Sequence, residues 1–440
     1  MYRPTKKIKI PKTLAGVLIP VILYANNCKL HCLCHNCKIS KLKTERMAVK
    51  TDLFQSPDYY LIDDLLNEEH KMVREAVRNY VKKEISPIIE DYAQRAEFPH
   101  QIVKQMGELG VFGPTIPSEY GGGGLDYISY GLMMQELERG DSGVRSTASV
   151  QGSLVMHPIY AYGSGEQRKK YLPKLASGEW LGCFGLTEPD HGSNPSGMLT
   201  NIKDAGDHVI LNGAKMWISN APYAHVAVVW AKDEQGNIRG MILERGMEGF
   251  TTPTTHGKWS LRASATGELV FHDVKVPKEN IFPSIKGLKG PLGCLTKARY
   301  GIAWGTLGAA MDCYDTALRY SKERVQFDRP IGGFQLQQKK LAEMITEITK
   351  GQLLVWRLGV LMNEGKATPQ QVSMAKRNSC EIAANIARDA RQMLGGMGIT
   401  GEYSIMRHMM NLESVITYEG THDIHLLITG MDVTGLNAFK

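Results

Sequence analysis

The stretch Val209-Ile210-Leu211-Asn212-Gly213-Ala214-Lys215-Met216-Trp217-Ile218 decides the fold class of this chain. Two apolar, strand-like runs flank Asn212-Gly213, a dipeptide that readily adopts positive φ and so favours a tight turn. The sequence therefore predicts a β-hairpin here. Further strand-like runs follow at 226–230, 241–243 and 269–276 and are separated by Gly, Pro and Asp. Together these runs indicate a small β-domain over residues 181–290.

Helical patterns lie on both sides of the β-domain. Before it, apolar residues recur at helical spacing from about residue 59 to 178, interrupted by four glycines at 121–124. After residue 299 the helical period returns, and long amphipathic helices with short connections favour a bundle. We therefore expect an α+β multidomain protein, with an all-α domain at 55–180 and a helical bundle at 291–440.

Positive charge is concentrated in the first 46 residues. The 440 residues carry a formal net charge of +7, but residues 1–46 contain ten Lys or Arg and one acidic residue, which leaves −2 for the rest. A nucleic-acid partner is therefore not expected, because the body of the protein has no basic surplus to place against phosphates. With 43% apolar and 22% charged residues, the composition is that of an ordinary globular protein.

This basic leader also contains half of the cysteines of the chain, namely Cys28, Cys32, Cys34 and Cys37. Only the last two have CxxC spacing, so a metal site is the weaker interpretation and we predict none. The apolar run at 14–25 contains Pro20 and is shorter than the roughly 20 residues of a membrane-spanning helix. A secretory signal is an alternative, but no clear cleavage site of small residues follows that run. A disordered or non-native extension before Met47 is the favoured interpretation.

Three sequence blocks fall within this α, β, α order: Phe184-Gly185-Leu186-Thr187-Glu188-Pro189, Lys215-Met216-Trp217-Ile218-Ser219-Asn220 and Gln392-Met393-Leu394-Gly395-Gly396. Over about residues 59–440, their order and spacing resemble the acyl-CoA dehydrogenase family. The segments 141–146, 298–304 and 417–423 resemble the glutaryl-CoA dehydrogenase branch. The resemblance implies an N-terminal α-helical domain, a middle β-barrel-like domain and a C-terminal four-helix bundle. His191 and Asn194 depart from the family pattern, which commonly has Ser and Asp there.

The resemblance implies FAD as the cofactor, because hydride transfer needs an acceptor that no side chain provides. For the flavin end it implies Phe184, Gly185, Leu186, Thr187, Ser193, Trp217, Ile218, Ser219, Thr421, His422 and Asp423. For the adenine and pyrophosphate end it implies Arg324, Gln335, Gln392, Leu394, Gly395 and Gly396. In the family some of these contacts come from a neighbouring subunit, so a homotetramer is implied. Taken singly, Trp217 would be a strand-packing aromatic, Arg324 a solvated charge and Gly395-Gly396 a helix C-cap.

Glu419 is the catalytic base that the resemblance implies. Dehydrogenation of a thioester requires a base for the α-proton, and desolvation in a cleft would raise the pKa of a Glu towards neutrality. A solvated surface Glu is the alternative that composition alone favours. Around the thioester and CoA, the resemblance implies contacts with Ser193, Leu292, Arg299 and Gly420.

In the glutaryl branch, the resemblance makes Arg145 the partner of the distal substrate carboxylate, with Ser146 assisting. Such a charge-assisted hydrogen bond contributes about 1.5–3 kcal/mol, so an uncharged acyl chain would bind less well. The alternative is a surface Arg paired with Asp141 at i, i+4. Glu138 lies seven residues earlier, about two helical turns on the same face if the helix continues. It could join Arg145 and Tyr418 in a polar network, or be a simple surface charge.

The function that the resemblance implies is oxidative decarboxylation of glutaryl-CoA to crotonyl-CoA and carbon dioxide, in lysine or tryptophan degradation, with electrons passed to an electron-transfer flavoprotein. Glu419, carrying the abstracted proton, would protonate the dienolate left by decarboxylation. Alternatives are a non-decarboxylating glutaryl-CoA or short-chain acyl-CoA dehydrogenase, a direct oxidase and a catalytically silent flavoprotein scaffold. No stable membrane insertion is expected. The expected location is cytoplasmic in a bacterium and the mitochondrial matrix in a eukaryote.

Overall fold

The computed structural model of the chain describes residues 58–439. The leader predicted at 1–46, its cysteines and its apolar run lie outside the described residues. From residue 58 on, helices come first, strands follow and helices return. The predicted fold class is therefore confirmed.

The N-terminal region is helical and contains two short π-helical segments that the sequence pattern did not predict, at Val81–Ile85 and Val150–Met156. Its α-helices are α1 (Glu68–Tyr80), α2 (Ile89–Arg95), α3 (Ile102–Glu108), α4 (Tyr127–Gly140), α5 (Ser142–Ser149), α6 (His157–Tyr162) and α7 (Gly165–Ala176). Asp126 caps α4 by accepting the Ser129 N–H at 2.8 Å. The same carboxylate contacts His70 of α1 and the amide of Asn363, so it fixes the start of α4 against its neighbours.

The boundary between α4 and α5 is a break at Asp141, whose backbone is extended with φ −167° and ψ 142°. The Asp141 side chain caps α5 by accepting the Gly143 N–H at 2.6 Å. Its other carboxylate oxygen accepts hydrogen bonds from Arg407 at 2.7 Å and Asn411 at 2.8 Å. The helix that sequence spacing suggested between Glu138 and Arg145 is therefore interrupted.

The middle region is one seven-stranded sheet, whose strands are β1 (Gly182–Gly185), β2 (Asn201–Asp204), β3 (His208–Ser219), β4 (Val226–Lys232), β5 (Ile238–Glu244), β6 (Phe250–Thr251) and β7 (Thr266–Pro277). Six of them follow the order β1, β4, β2, β3, β7 and β6, and β5 pairs with β4. The β1–β4 pair is parallel, whereas the β3–β7 and β4–β5 pairs are antiparallel.

The hairpin predicted at Asn212-Gly213 is wrong, because β3 runs through this dipeptide without turning. The register between β3 and β7 shifts between Leu211 and Gly213, and Gly213 has φ 136°. The Asn212 side chain exchanges hydrogen bonds with Asp273 on β7 at 2.8 and 2.9 Å. The dipeptide thus forms a β-bulge, which uses the same tolerance of positive φ as a turn but keeps the strand direction.

The C-terminal region is built from α8 (Lys289–Glu323), α9 (Gln335–Asn363), α10 (Pro369–Met393), α11 (Ile405–Thr417) and α12 (His422–Thr434). A short ribbon between α8 and α9 consists of β8 (Val325–Gln326) and β9 (Arg329–Pro330). Thr368 begins α10 with a capping box, and Gly395 in the left-handed conformation follows its end. The C-cap interpretation of Gly395 therefore holds.

A single apolar core joins the N-terminal helices, the bundle and one part of the sheet, including Phe184 and Leu186 of the first sequence block. A second core lies within the sheet and includes Leu211, Val229 and Leu269. Within residues 58–439, we find no helix with the length and apolarity needed to cross a membrane.

Candidate active site

The link between α11 and α12 carries Glu419 in a left-handed backbone conformation with φ 56°, which is uncommon for a residue other than glycine. Its Oε2 atom is buried and has no hydrogen-bond partner among the described residues. Burial raises the pKa of Glu419 to about 7, although Arg299, Lys376 and Arg145 act to lower it. A strained backbone and a carboxyl group that titrates near neutrality are both typical of a general base. The solvated-surface alternative for Glu419 is wrong.

Two buried cations hold the backbone around Glu419. Lys376 on α10 donates to the carbonyl oxygen of Tyr418 at 3.0 Å and to that of Gly420 at 2.9 Å. Arg299 on α8 donates through Nε to the carbonyl oxygen of Glu419 at 2.6 Å. Three consecutive carbonyl groups are therefore bonded to side chains from two helices of the bundle.

Gly420 is the part of this turn where a side chain has no room. Its φ is 93°, and a Cβ there would lie 3.0 Å from the His425 ring and 3.2 Å from Arg299. His425 is buried, and neither of its ring nitrogens has a partner among the described residues. Burial, together with the nearby Lys376 and Arg299, lowers the pKa of His425 to about 3, so the ring is neutral.

The structure brings Glu138, Arg145 and Tyr418 together. Arg145 Nε donates to Glu138 at 2.6 Å and its Nη2 donates to the same carboxylate at 3.3 Å and to the Tyr418 hydroxyl. Burial opposes the charge on Arg145, but Glu138 and Tyr418 outweigh it and raise the pKa above its usual value. Arg145 Nη1 makes no hydrogen bond to a described residue, so one end of the guanidinium is available to a ligand.

The surface alternatives for this pair are also wrong. Arg145 is 1% exposed and Glu138 is 0% exposed. Asp141, expected as the i, i+4 partner, is bonded to Arg407 and Asn411 instead. The extended backbone at Asp141 separates α4 from α5, and Glu138 and Arg145 meet across this break rather than along one helix face.

The first two sequence blocks are in contact where the chain leaves β1. Met216 N–H donates to the carbonyl oxygen of Thr187 at 2.9 Å. Buried Lys215 donates to Leu186 O at 3.0 Å and to the Glu188 carboxylate at 2.9 Å. Burial lowers the pKa of Lys215 to about 8 even though Glu188 stabilises its charge. This ion pair ties the 184–189 segment to the end of β3.

Trp217 provides a test of whether these segments fit a flavin. The residue is 57% exposed, so the strand-packing alternative is wrong, and its backbone is left-handed with φ 62°. An apolar ring of this size left open next to the 184–187 segment fits a planar aromatic ligand such as the isoalloxazine ring. Ile218 is buried, whereas Ser219 pairs with Thr266 of β7.

The flavin-end segments lie near the α5 helix that carries Arg145. Asn220 N–H donates to Ala265 O at 2.9 Å, and a Cβ on Gly143 would lie 3.0 Å from the Ser264 side chain. In the turn after the base, Thr421 caps α12 by accepting the Ile424 N–H. The other predicted contacts around this region are buried Ser146, half-buried His422, and exposed Ser193, Leu292 and Asp423.

The residues predicted for the adenine end lie elsewhere. They are exposed except for Leu394, and they cluster where α8 ends, α9 begins and α10 ends: Arg324, Gln335, Gln392, Leu394, Gly395 and Gly396. Lys340 near the start of α9 donates to Gln392. At 1.5 Å per residue, Arg324 is about 37 Å along the α8 axis from Arg299. One chain therefore does not bring this group to its own Glu419.

Lys376 and His425 are the two residues of the site that the sequence reasoning missed. Lys376 interrupts the apolar face of α10, lying four residues after Val372 and four before Cys380, both of which are buried. A lysine at such a position signals a buried ammonium group with a specific role. His425 carries no comparable signal, because a His within a helix is usually structural.

Family models match along most of the described chain. The acyl-CoA dehydrogenase N-terminal domain matches residues 67–179, the middle domain 183–274 and the C-terminal domain 286–434. The chain belongs to the acyl-CoA dehydrogenase family. It is therefore an oxidoreductase that acts on the CH–CH group of acyl-CoA donors, and its cofactor is FAD.

Relatives named glutaryl-CoA dehydrogenase are similar over nearly their whole length. The Desulfococcus multivorans protein is 37% identical over 385 residues, which cover 85% of this chain and 99% of that protein. A Mycobacterium smegmatis enzyme solved in complex with FADH2 is 47% identical, with a TM-score of 0.85 and coverage of 86% and 97%. A structure of a glutaryl-CoA dehydrogenase with glutaryl-CoA is 36% identical, with a TM-score of 0.80 and coverage of 84% and 96%.

Proposed function

We propose that this acyl-CoA dehydrogenase oxidises and decarboxylates glutaryl-CoA to crotonyl-CoA and carbon dioxide. The observation that carries the proposal is the buried Arg145–Glu138 pair, which is linked through Tyr418 to the residue next to the base. A dehydrogenase for uncharged acyl chains has no need of a buried guanidinium, because desolvating a cation is costly.

In the first step, the proposed base Glu419 takes the α-proton of the thioester. The pKa of about 7 leaves a large fraction of Glu419 ionised at neutral pH, and the absence of a partner on Oε2 leaves that oxygen free for the proton. When bound, FAD supplies the acceptor for the β-hydride. Trp217, Ile218 and Ser219, together with Phe184 to Thr187, are proposed to hold its ring system.

The first step gives glutaconyl-CoA. In the second step, the distal carboxylate of this intermediate leaves as carbon dioxide. The electron pair of the broken carbon–carbon bond forms a dienolate conjugated with the thioester. Glu419, which carries the proton from the first step, returns it to give crotonyl-CoA. Arg145 binds the distal carboxylate through Nη1. Glu138 weakens this binding, because its carboxylate accepts hydrogen bonds from the same guanidinium. A carboxylate bound less tightly is released more readily.

The substrate is tested by adding glutaryl-CoA or butyryl-CoA to the FAD-loaded protein without oxygen and following flavin absorbance. We expect faster bleaching with glutaryl-CoA, with crotonyl-CoA and carbon dioxide as products. Bleaching by butyryl-CoA alone would contradict the substrate assignment. Accumulation of glutaconyl-CoA without carbon dioxide would instead show a non-decarboxylating enzyme.

The role of Arg145 needs a variant that does not leave Glu138 unpaired in the core. The double substitution Glu138→Gln/Arg145→Gln removes both charges together. It is expected to remove the preference for glutaryl-CoA, a loss of about 1.5–3 kcal/mol in kcat/KM selectivity, while bleaching by butyryl-CoA persists. An unchanged selectivity ratio in this variant would contradict the assignment.

The electron acceptor is proposed to be an electron-transfer flavoprotein. After reduction by substrate, the flavin should be reoxidised rapidly by an added electron-transfer flavoprotein and slowly by air. Fast peroxide release in air would instead indicate an oxidase. A protein whose flavin is not reduced by any acyl-CoA would be the silent scaffold.

A further inference from the structure

Lys376 is a buried ammonium group without a carboxylate partner among residues 58–439. Its exposed fraction is 0%, and its hydrogen bonds go to two backbone carbonyl oxygens, those of Tyr418 and Gly420. Burying a cation without a counter-charge is costly, so a fold that retains one needs a compensating interaction. The carboxyl group that interacts with this charge is that of Glu419, because Glu419 and Lys376 each shift the pKa of the other.

The two carbonyls that Lys376 binds stand on either side of Glu419. The bond to the Tyr418 carbonyl fixes the peptide plane that enters Glu419, and the bond to the Gly420 carbonyl fixes the plane that follows Gly420. Arg299 fixes the plane between these two, which leaves Glu419. A left-handed conformation at a Glu costs of the order of 1–3 kcal/mol and persists only where its surroundings enforce it. The three hydrogen bonds provide that enforcement, and they come from side chains of α8 and α10.

We propose that Lys376 is a positioning residue that holds the Glu419 turn through the carbonyl groups on either side of it. The proposal rests on the role of Glu419 as base in the proposed function. Lys376 acts through the backbone carbonyl groups that it binds: it sets the direction in which the carboxyl group points and places a positive charge near it. Both effects favour the ionised carboxylate that abstracts a proton.

The groups facing Lys376 and the Glu419 turn come from several elements. They are Arg145 on α5, Cys294 and Arg299 on α8, Cys380 on α10, and His422 and His425 on α12. His425 is neutral at physiological pH, and burial raises the pKa of Cys380 to about 11 and that of Cys294 well above its usual value. Burial and the nearby Arg377 lower the pKa of His422. Glu419 itself is therefore the group of this cluster that titrates close to pH 7.

The test replaces Lys376 by Met, which has a similar shape but neither charge nor donors, and by Arg, which keeps both. The matched control is Lys258→Met. Lys258 is another largely buried lysine that donates to backbone carbonyls around a left-handed residue, in this case Leu261, but that turn carries no carboxyl group. FAD content and thermal unfolding of each variant separate folding defects from changes in the turn.

The readout that does not depend on turnover is the infrared band of the protonated Glu419 carboxyl, identified as the band lost in Glu419→Gln. Titration of this band should show a midpoint about one unit higher in Lys376→Met than in the unchanged protein, because a stabilising cation is gone. The midpoint in Lys376→Arg should lie between these two values, and the midpoint in Lys258→Met should equal that of the unchanged protein. An identical midpoint in Lys376→Met would overturn the proposal.

The second readout is the rate of anaerobic flavin reduction by whichever acyl-CoA bleaches the unchanged protein. In Lys376→Met the rate should fall about 10- to 100-fold, with substrate Kd little altered, because the base is displaced rather than removed. A rate equal to that of Lys258→Met would overturn the positioning role. Failure of glutaryl-CoA to bleach the unchanged protein would refute the proposed substrate, while the infrared titration would still decide the role of Lys376.

Discussion

At the scale of single residues, Glu419 combines a left-handed backbone, a buried carboxyl oxygen without a partner and a raised pKa. None of these properties stabilises the fold. They persist because Lys376 and Arg299 hold the surrounding carbonyl groups. The residues that support the proposed base are therefore distinct from the base itself. Strain of this kind is typical of a catalytic position.

The raised pKa predicts how flavin reduction depends on pH. Because the base must be ionised, the rate of anaerobic reduction by substrate should rise with pH and reach half of its plateau near pH 7. Stopped-flow absorbance measurements across about pH 5.5–8.5 would show this rise in the rate of flavin reduction. A rate that is flat from pH 5.5 upwards would mean that the base titrates as an ordinary surface Glu.

The same shift predicts a gain in stability when the carboxyl group is removed. Between pH 4.5 and 7 the folded state keeps a proton on Glu419 that the unfolded state has lost, so this group destabilises the fold increasingly as pH rises. Glu419→Gln should therefore unfold at a higher temperature than the unchanged protein at pH 8, and the difference should vanish near pH 4. It should also bind FAD without being reduced by substrate. A variant less stable at pH 8 would contradict the prediction.

At the scale of elements, the contact between α4 and α8 depends on glycines along one face of α8. A Cβ at Gly308 would lie 1.9 Å from the Gln135 carbonyl oxygen, and one at Gly305 would lie 2.2 Å from the Glu138 carboxylate. Gly308 lets α8 approach the backbone of α4 closely, and Gly305 leaves room for the Glu138 carboxylate. The proposed substrate carboxylate site is therefore set by helix packing as well as by its own side chains.

This packing predicts opposite effects for two Gly→Ala substitutions. Gly308→Ala should destabilise the protein by about 1–3 kcal/mol, because α4 and α8 must move apart. Gly430→Ala on α12, where nothing lies within 4 Å of the added carbon, should instead stabilise it by about 0.5–1 kcal/mol. Thermal unfolding of both variants would check the prediction, and similar shifts in the two would contradict it.

Element type was easier to predict than element connection. The helical period of apolar residues predicted α9 correctly, since burial on one face imposes that period. Apolar runs separated by Gly, Pro and Asp predicted β4, β5 and β7 correctly. Asn212-Gly213 was misassigned because a bulge and a hairpin need the same positive φ, and only pairing with β7 distinguishes them. The break at Asp141 was missed because Arg407 and Asn411, which stabilise it, are far away in sequence.

At the scale of the whole molecule, the two proposed halves of the FAD site are at opposite ends of the bundle. The adenine-end residues lie about 37 Å along α8 from the region of Glu419. We therefore propose that each cofactor is bound between neighbouring subunits of a homotetramer. Light scattering should give four times the mass of one chain.

Shared sites also predict recovery of activity when two inactive variants are mixed. Glu419→Gln lacks the base, and Arg324→Ala/Gln392→Ala lacks adenine-end contacts. Unfolding and refolding the two together should produce some sites with both parts intact, so part of the activity should return. Each variant refolded alone is the control. If the mixture is no more active than the controls, each chain binds FAD by itself.

The sequence by itself determined the order of the domains, the family and the residue that is proposed as base, because apolar period and linear motifs are local properties of the chain. Tertiary structure decided which residues act on one another. Glu138 reaches Arg145 across a helix break, Lys376 reaches the Glu419 turn from another helix, and Arg324 is held away from both. These relations depend on contacts between residues up to hundreds of positions apart, and no local pattern specifies them.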